Sequence, residues 1–284
     1  MKLSPCFTAS DADAIAAHLA EMATQALVDE ARLSPKPGLV DARGSGAHQD
    51  LTLALMERSA LSLTPVFHAL AIAGWQRRAD SALRQEVGRI GREGEQLMMA
   101  ATGGVNTHRG AIWALGLLVT AVAMQGGKAT PLNACAQAAL LAQLPDHASP
   151  KLFSKGLRAT QRYQVPGARE EAQQGFPHVM QRALPQLWRS RSQGASEQAA
   201  QLDALMAVMT TLSDTCVLSR GGLPALKAMQ QGAADVLRAG GYQHPAGQVA
   251  LAKLEQRLLA CNASPGGAAD LLAAALFLDR ATAR

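Results

Sequence analysis

The chain has few aromatic residues and no paired cysteines. Aromatics supply only 4% of its 284 residues. Alanine and leucine supply most of the apolar content instead, which favours a helical core over a β-rich one. The four cysteines, Cys6, Cys135, Cys216 and Cys261, stand far apart with no CxxC pair. That excludes a zinc ribbon or a disulfide framework and fits a reducing compartment. No basic block carries interleaved aromatics, so nucleic acid is not an expected partner. There is no Walker lysine and no GxGxxG after a strand pattern. The longest apolar run, about 111–124, is shorter than a bilayer span and reads as a buried core helix, so no membrane role is expected. The opening MKLSPCFTASDADAI has no apolar signal-peptide core, and the cytoplasm is the expected compartment.

The residues present point to an all-α protein. Helical stripes recur from Ile15, Leu19, Met22 and Ala26 onward, and no strand alternation or fixed-period repeat interrupts them. Ser10 followed by Asp13 has capping-box form at the first of these helices, which should end near Arg32. The expectation is a single domain over 1–284 of roughly ten helices around one buried central helix. The polar stretch 190–196 is the only segment with the composition of a linker. The net charge of +5 comes mostly from arginine and permits anionic ligands.

Four junctions combine glycine with charged or amide side chains beside an apolar helix. The first, SPKPGLVDARGSGAH at 34–48, is stiffened by prolines and carries Lys36, Gly38, Asp41, Arg43 and His48. The second, GGVNTHRG at 103–110, places Gly104, Asn106, Thr107, His108 and Arg109 at a helix start. Exposed N–H groups and the helix dipole favour anions there. The same residues also suit a plain buried helix capped by Thr107. The third, DTCVLSRGG at 214–222, holds Asp214, Arg220, Gly221 and Gly222. The fourth, SPGGAAD at 264–270, offers Ser264 as N-cap, Pro265 as first helical residue and Gly266 and Gly267 in the first turn. It also puts Asp270 into an otherwise apolar helix, where a carboxylate needs a partner. Glu95 borders the apolar face of a further helix, either in a cleft or on a solvated flank. If the junctions converge, Asp41, Asp214 and Asp270 can hold a hard cation such as Mg²⁺. Lys36, Arg43, Arg109 and Arg220 can then neutralise phosphates.

These motifs resemble the triphosphoribosyl-dephospho-coenzyme A synthase family. The resemblance rests on LSPKPGLVD at 33–41, GAH at 46–48, GVNTHRGAIW at 104–113, GAREEAQQGFP at 167–177, DTCVLSRGG at 214–222 and SPGGAADLLA at 264–273, in that order. DTCVL and NASPGG look most like the synthase serving malonate decarboxylase, with the citrate lyase counterpart as rival. Two positions depart from the family pattern. Ala42 follows Asp41 where the pattern has arginine, which here comes at Arg43. Ser219 precedes Arg220 where the pattern has a larger polar or aromatic residue.

The resemblance implies an all-α enzyme that joins ATP to 3′-dephospho-coenzyme A and releases adenine. The product would pass to a transferase and an acyl carrier protein, and the enzyme can be a homo-oligomer. A ribose hydroxyl must attack the anomeric carbon of ATP while adenine departs, so a base, an acid and a carboxylate near an oxocarbenium-like centre are wanted. Glu95, His108, His48 and Asp41 are the expected proton-transfer candidates. Asp214 and Asp270 are expected at Mg²⁺ or its waters. Lys36, Gly38, Arg43, Gly104, Asn106, Thr107, Arg109, Arg220, Gly221, Gly222, Gly266 and Gly267 are expected around the substrates. A non-catalytic nucleotide-binding scaffold and a Mg²⁺-dependent N-glycoside hydrolase are the competing readings.

Overall fold

The computed structural model describes residues 9–149 and 155–282. Cys6 and the side chain of Ser10, with the capping box expected there, lie outside the described residues. The described residues form thirteen α-helices and one π-helical turn, with no strand. In order they are α1 (Ala9–Arg32), α2 (Leu53–Ser62), α3 (Thr64–Gly74), α4 (Ser81–Ala101), α5 (Arg109–Met124), α6 (Pro131–Gln143), α7 (Lys155–Tyr163) and α8 (Ala168–Gln173). The π turn (Val179–Ala183) follows, then α9 (Leu184–Ser192), α10 (Glu197–Met209), α11 (Thr215–Arg238), α12 (Pro245–Ala260) and α13 (Gly266–Ala281).

The all-α reading holds, and the helix number exceeds the expected ten for local reasons. Leu63 divides the 53–74 pattern, closing α2 and opening α3 just before Pro65. Pro166 and Gly167 separate α7 from α8, because proline cannot continue a helix. Gly222, at φ 65° and ψ −162°, breaks α11, and Pro224 restarts it. The centre also differs from one buried helix. In α5 every residue from Ala114 to Met124 is buried. In α10 the same is true from Ala199 to Met209, where the sequence pattern alone predicts an inward face of Leu202, Leu205, Met206 and Met209. Helix α13 packs against both and is buried from Leu271 to Leu278. Three central helices therefore share one contiguous core. No described helix is long and apolar enough to cross a membrane.

The helix starts decide where the site lies. Several use a local cap: Thr52, Asp80, Thr130 and Ser196 each accept a hydrogen bond from their own first turn. Helices α5 and α13 do not. Their N-cap residues are His108 and Pro265, and neither side chain caps. N–H groups further into their first turns are met from elsewhere in the chain. Asp214 accepts from Cys216 and Val217 at the start of its own helix, at 2.8 and 3.2 Å, and from Ala268 of α13 at 2.9 Å. Gly267 N–H adds a fourth bond. Asp270, one turn into α13, in turn accepts from Ala111 at the start of α5. Two glycines make room for this. A side chain at Gly267 would press on Asp214 Oδ2, and one at Gly110 would overlap Asp270 Oδ2.

Asp214→Ala removes the caps of two helices at once and leaves buried N–H groups unmet. It should lower unfolding stability by about 2–4 kcal/mol, read by denaturant titration. Asp214→Asn, which keeps one acceptor oxygen, should lose less.

Candidate active site

The starts of α5, α11 and α13 and the loop after α1 come together at one place. Its floor is polar and almost dry. Lys36 is 1% exposed and Glu30 3%. Lys36 Nζ donates to Glu30 Oε1 at 2.5 Å and also to the Glu30 carbonyl. The sequence pattern holds the signal for this pair: Glu30 continues the Ile15–Leu19–Met22–Ala26 stripe by one turn, so it is a carboxylate on a core face. That residue was not among those expected at the site.

His108 stands beside this pair and is 2% exposed. Its Nδ1 shares a 2.8 Å hydrogen bond with Ser59 Oγ, and Ser59 Oγ also meets Thr107 Oγ1 at 2.6 Å. Its Nε2 has no hydrogen-bond partner although it is buried. Burial, and then the charge of Lys36, push the imidazole down to about 4, so the ring is neutral at pH 7. Asp270 completes the floor. It keeps partial contact with solvent. Burial, followed by repulsion from Glu30 and Asp214, raises its carboxyl well above the usual range, against the Ala111 N–H bond.

The walls are held by side chains expected at the site, many already engaged. Asp41 accepts from the backbone N–H groups of Lys36 and Arg43, at 2.8 and 2.7 Å, and from the Arg43 guanidinium. Burial alone would raise the Asp41 carboxyl, but these donors, led by Arg43, bring it below its usual value. Arg43 also grips Glu255 of α12 with two 2.8 Å bonds. Asp41 and Arg43 thus brace the loop against α12. His48 joins two other motifs. Its Nδ1 accepts from Arg220 at 3.0 Å, which leaves the hydrogen on Nε2, facing Ser264 Oγ at 2.8 Å. Burial, then the Arg220 charge, hold this imidazole down, against the pull of Asp50. Arg220 also donates to the Ala47 carbonyl at 2.8 Å. Ser264, expected as an N-cap, is instead the partner of His48.

The remaining expected residues form the rim. Arg109 and Glu95 pair at 2.9 Å on the exposed surface of α5 and α4. Asn106 Oδ1, not Thr107, accepts the Arg109 N–H, at 3.3 Å. Gly104 N–H closes α4 on the Met99 carbonyl. Gly38, at φ 72°, passes so close to the Ala263 carbonyl that a side chain would collide. Gly221 packs on Cys261, Gly222 lies near the Tyr163 hydroxyl, and Gly266 and Gly267 face Cys216 and Asp214. All four junctions therefore meet. Among the described residues no three His, Cys, Asp or Glu side chains form a ready metal-binding group.

The floor chemistry yields a pH signature. His108 is held neutral in the fold, at about 4 against 6.5 when free. Its contribution is full above pH 6.5 and is lost as pH falls toward 4, because the unfolded chain takes the proton first. The stability difference between wild type and His108→Gln should therefore shrink by roughly 3 kcal/mol across that window. Paired denaturant titrations at pH 7.5 and pH 4 measure it. A difference that does not change with pH would mean that the ring titrates alike in the folded and unfolded chain, so that the fold does not hold it neutral.

Comparison with known proteins matches this chain to one family. A family model described as ATP:dephospho-CoA triphosphoribosyl transferase matches residues 16–284. A Klebsiella pneumoniae protein named 2-(5″-triphosphoribosyl)-3′-dephosphocoenzyme-A synthase is 70% identical over 262 residues, 92% of this chain and 94% of its own length. Proteins named as probable enzymes of that type match at 59% identity in Pseudomonas syringae pv. syringae (strain B728a), over 93% of this chain and 91% of the relative. The corresponding Azotobacter vinelandii protein matches at 57% identity, over 94% and 92%. No solved structure matches the chain. A family match over nearly the whole chain, with relatives this similar from end to end, places the chain in the ATP:dephospho-CoA triphosphoribosyl transferase family, as an enzyme of that family.

Proposed function

We propose that the cleft transfers the 5-triphosphoribosyl group of ATP to the ribose 2′-hydroxyl of 3′-dephospho-coenzyme A, releasing adenine. The observation that carries this reading is the convergence of three helix starts on a protonatable carboxyl, Asp270, with a buried neutral imidazole, His108, at the N-cap of the helix whose Ala111 N–H it accepts. In the transfer the bond from the anomeric carbon to adenine breaks, a bond to the acceptor oxygen forms, and the hydroxyl gives up its proton. Positive charge grows on the sugar as adenine leaves, and a carboxylate nearby stabilises it. Asp270 suits both tasks. Its raised affinity for protons makes it a better base near neutral pH than an ordinary carboxylate.

The other expected proton carriers fit less well where they stand. His108 has its charged form suppressed, so its role is to orient a substrate group by a hydrogen bond from or to Nε2. Glu95 is paired with Arg109 on the exposed rim. Asp41 is locked to Arg43, and His48 bridges Arg220 and Ser264. The start of α5 and Arg109 can receive phosphate charge. Lys36 is already neutralised by Glu30 and would support the floor from beneath.

Magnesium is a further part of the proposal. Asp214 does not fit as a ligand, because four backbone N–H groups already take its oxygens. Asp270, pressed by the negative charge of Glu30 and Asp214, fits better. A cation carried on the triphosphate and reaching Asp270 only through one of its waters would screen the phosphates and leave the carboxyl free to take up the proton.

One assay tests the reaction: ATP, Mg²⁺ and dephospho-coenzyme A are mixed with the protein and free adenine is followed. Adenine release that requires dephospho-coenzyme A is the expected result. Release without it indicates an N-glycoside hydrolase, and tight binding without release indicates a scaffold. The finer assignment, service to malonate decarboxylase rather than citrate lyase, draws on DTCVL at 214–218 and NASPGG at 262–267. A strain lacking the chain should then lose the modified malonate decarboxylase carrier and retain any modified citrate lyase carrier.

Asp270→Asn separates catalysis from folding. Asparagine keeps the shape and removes the repelled charge. The fold with Asp270 loses stability as pH rises through the raised carboxyl value, so the variant should match or exceed wild type in stability at pH 7.5. Its turnover should fall by about 10²–10⁴. A variant with near-normal turnover at saturating Mg²⁺ would remove Asp270 from the reaction.

A further inference from the structure

A second polar cluster lies along α4, away from the floor of the cleft. Arg84 is only 6% exposed, and its Nε has no hydrogen-bond partner although it is buried. Its Cζ lies 5.4 Å from the centre of the Trp113 ring. Arg92, two turns on, donates to Asp146 Oδ2 at 2.7 Å, while the Arg84 contact with the same oxygen is long, at 3.5 Å. Gly88 lies between them on α4, and a side chain there would displace the Asp146 carboxylate. A third guanidinium, Arg169 at the start of α8, is near enough to press on Arg84 electrostatically.

Charge does not balance here. Asp146 is one carboxylate among three guanidinium groups, and its Oδ1 is already taken by the Ala148 N–H. The two acids after Arg169 are engaged elsewhere: Glu170 with the Gly167 N–H, and Glu171 with His178. Among the described residues Arg169 itself makes no ion pair. Burial, and then the charges of Arg169 and Arg92, push the Arg84 guanidinium down, against the pull of Asp146. A clamp that only pinned the 145–149 turn would need one arginine, and Arg92 already makes that bond. The unmatched charge and the orphan donor call for an anion with several oxygens.

The cluster is also continuous with the cleft. Arg92 lies one turn from Glu95 on α4, and Glu95 pairs with Arg109. Trp113 lies one turn from Arg109 on α5, with its indole N–H bonded to the Ala168 carbonyl at 3.0 Å, just before Arg169. A path of cationic groups thus runs from the start of α5 to the start of α8.

We propose that Arg84, Arg92 and Arg169, beside the Trp113 ring, form a polyphosphate subsite for one of the two nucleotides that the transfer brings together. This rests on the synthase reading above. The shared chemistry is a chain of phosphates, supplied either by the triphosphate of ATP or by the diphosphate of dephospho-coenzyme A.

The test uses the full chain with Arg92→Gln, Arg169→Gln and the double substitution, leaving the buried Arg84 in place. Initial rates are measured with each nucleotide varied in turn, and inorganic tripolyphosphate is titrated by calorimetry. The double variant should bind tripolyphosphate at least tenfold more weakly. It should also raise KM at least tenfold for one nucleotide, with kcat changed much less. A rise for ATP assigns the triphosphate, and a rise for dephospho-coenzyme A assigns the diphosphate. A folded double variant with both KM values and tripolyphosphate affinity unchanged overturns the subsite, even if its thermal midpoint drops. If wild type releases no adenine, the synthase reading fails by itself. The calorimetric comparison then still decides the subsite.

Discussion

Two aspartates cap helices other than, or in addition to, their own, and the site depends on that constraint. A helix start carries N–H groups that must be met somewhere. In α5 and α13 the N-cap side chains do not meet them. Asp214 ties the start of α13 to the start of α11, and Asp270 ties the start of α5 to the first turn of α13. The result is a relay in which each helix start is positioned by the one before it. Three positive helix ends are thereby gathered around two carboxylates. None of the three can drift without exposing buried N–H groups, so the site inherits the rigidity of the core.

The same packing sets the protonation states. Asp214 and Asp270 are close enough to repel, and Glu30 adds to the repulsion on Asp270. Burial raises both carboxyls, but four N–H groups counter it at Asp214 and only one at Asp270, which is raised further. The two acids therefore differ although both sit at helix starts. One is saturated and structural, and the other is undersatisfied and able to exchange a proton. Lys36 enters through Glu30 and keeps the floor from carrying three bare carboxylates. Its charge also helps keep His108 neutral. A strained polar floor of this kind is expected where selection has favoured chemistry over stability.

Much of the fold was legible in the sequence, because 3.6-residue periodicity and Gly/Pro punctuation directly report helices and their ends. The apolar segment 111–124 correctly marked a buried helix. The equal burial of α10 was not legible, since small and medium apolar residues on all sides read as a stripe until neighbours are known. The four junctions were legible as glycine-plus-charge clusters, and they do meet. What each residue does there was less legible. Asp41, Asp214 and Arg43 look alike as exposed ligand candidates in one dimension, but each is occupied by partners between 2 and 212 residues away. Glu30 carried a signal, a carboxylate on an apolar stripe, yet its meaning depended on Lys36 folding back over it. Ser59 and Asp146 lie outside every motif, and only tertiary contact assigns them.

Helix α5 links these levels. Its first turn receives Asp270 and displays Arg109, and one turn later it places Trp113 against Arg84. Everything beyond that is buried against α3, α4, α6 and α13. A transfer between two nucleotides requires both to be held in register while water is kept from the sugar carbon. Loops alone hold such a geometry poorly. A single rigid helix that meets Asp270 at its start and carries Arg109 and Trp113 along its edge would, on the reading proposed above, hold both. The alanine- and glycine-rich composition that makes the chain poor in aromatics is what lets neighbouring helices approach α5 closely enough to fix it. Gly74 against the Thr120 backbone is one such contact. The rarity of large side chains in the core is thus part of how the site is positioned.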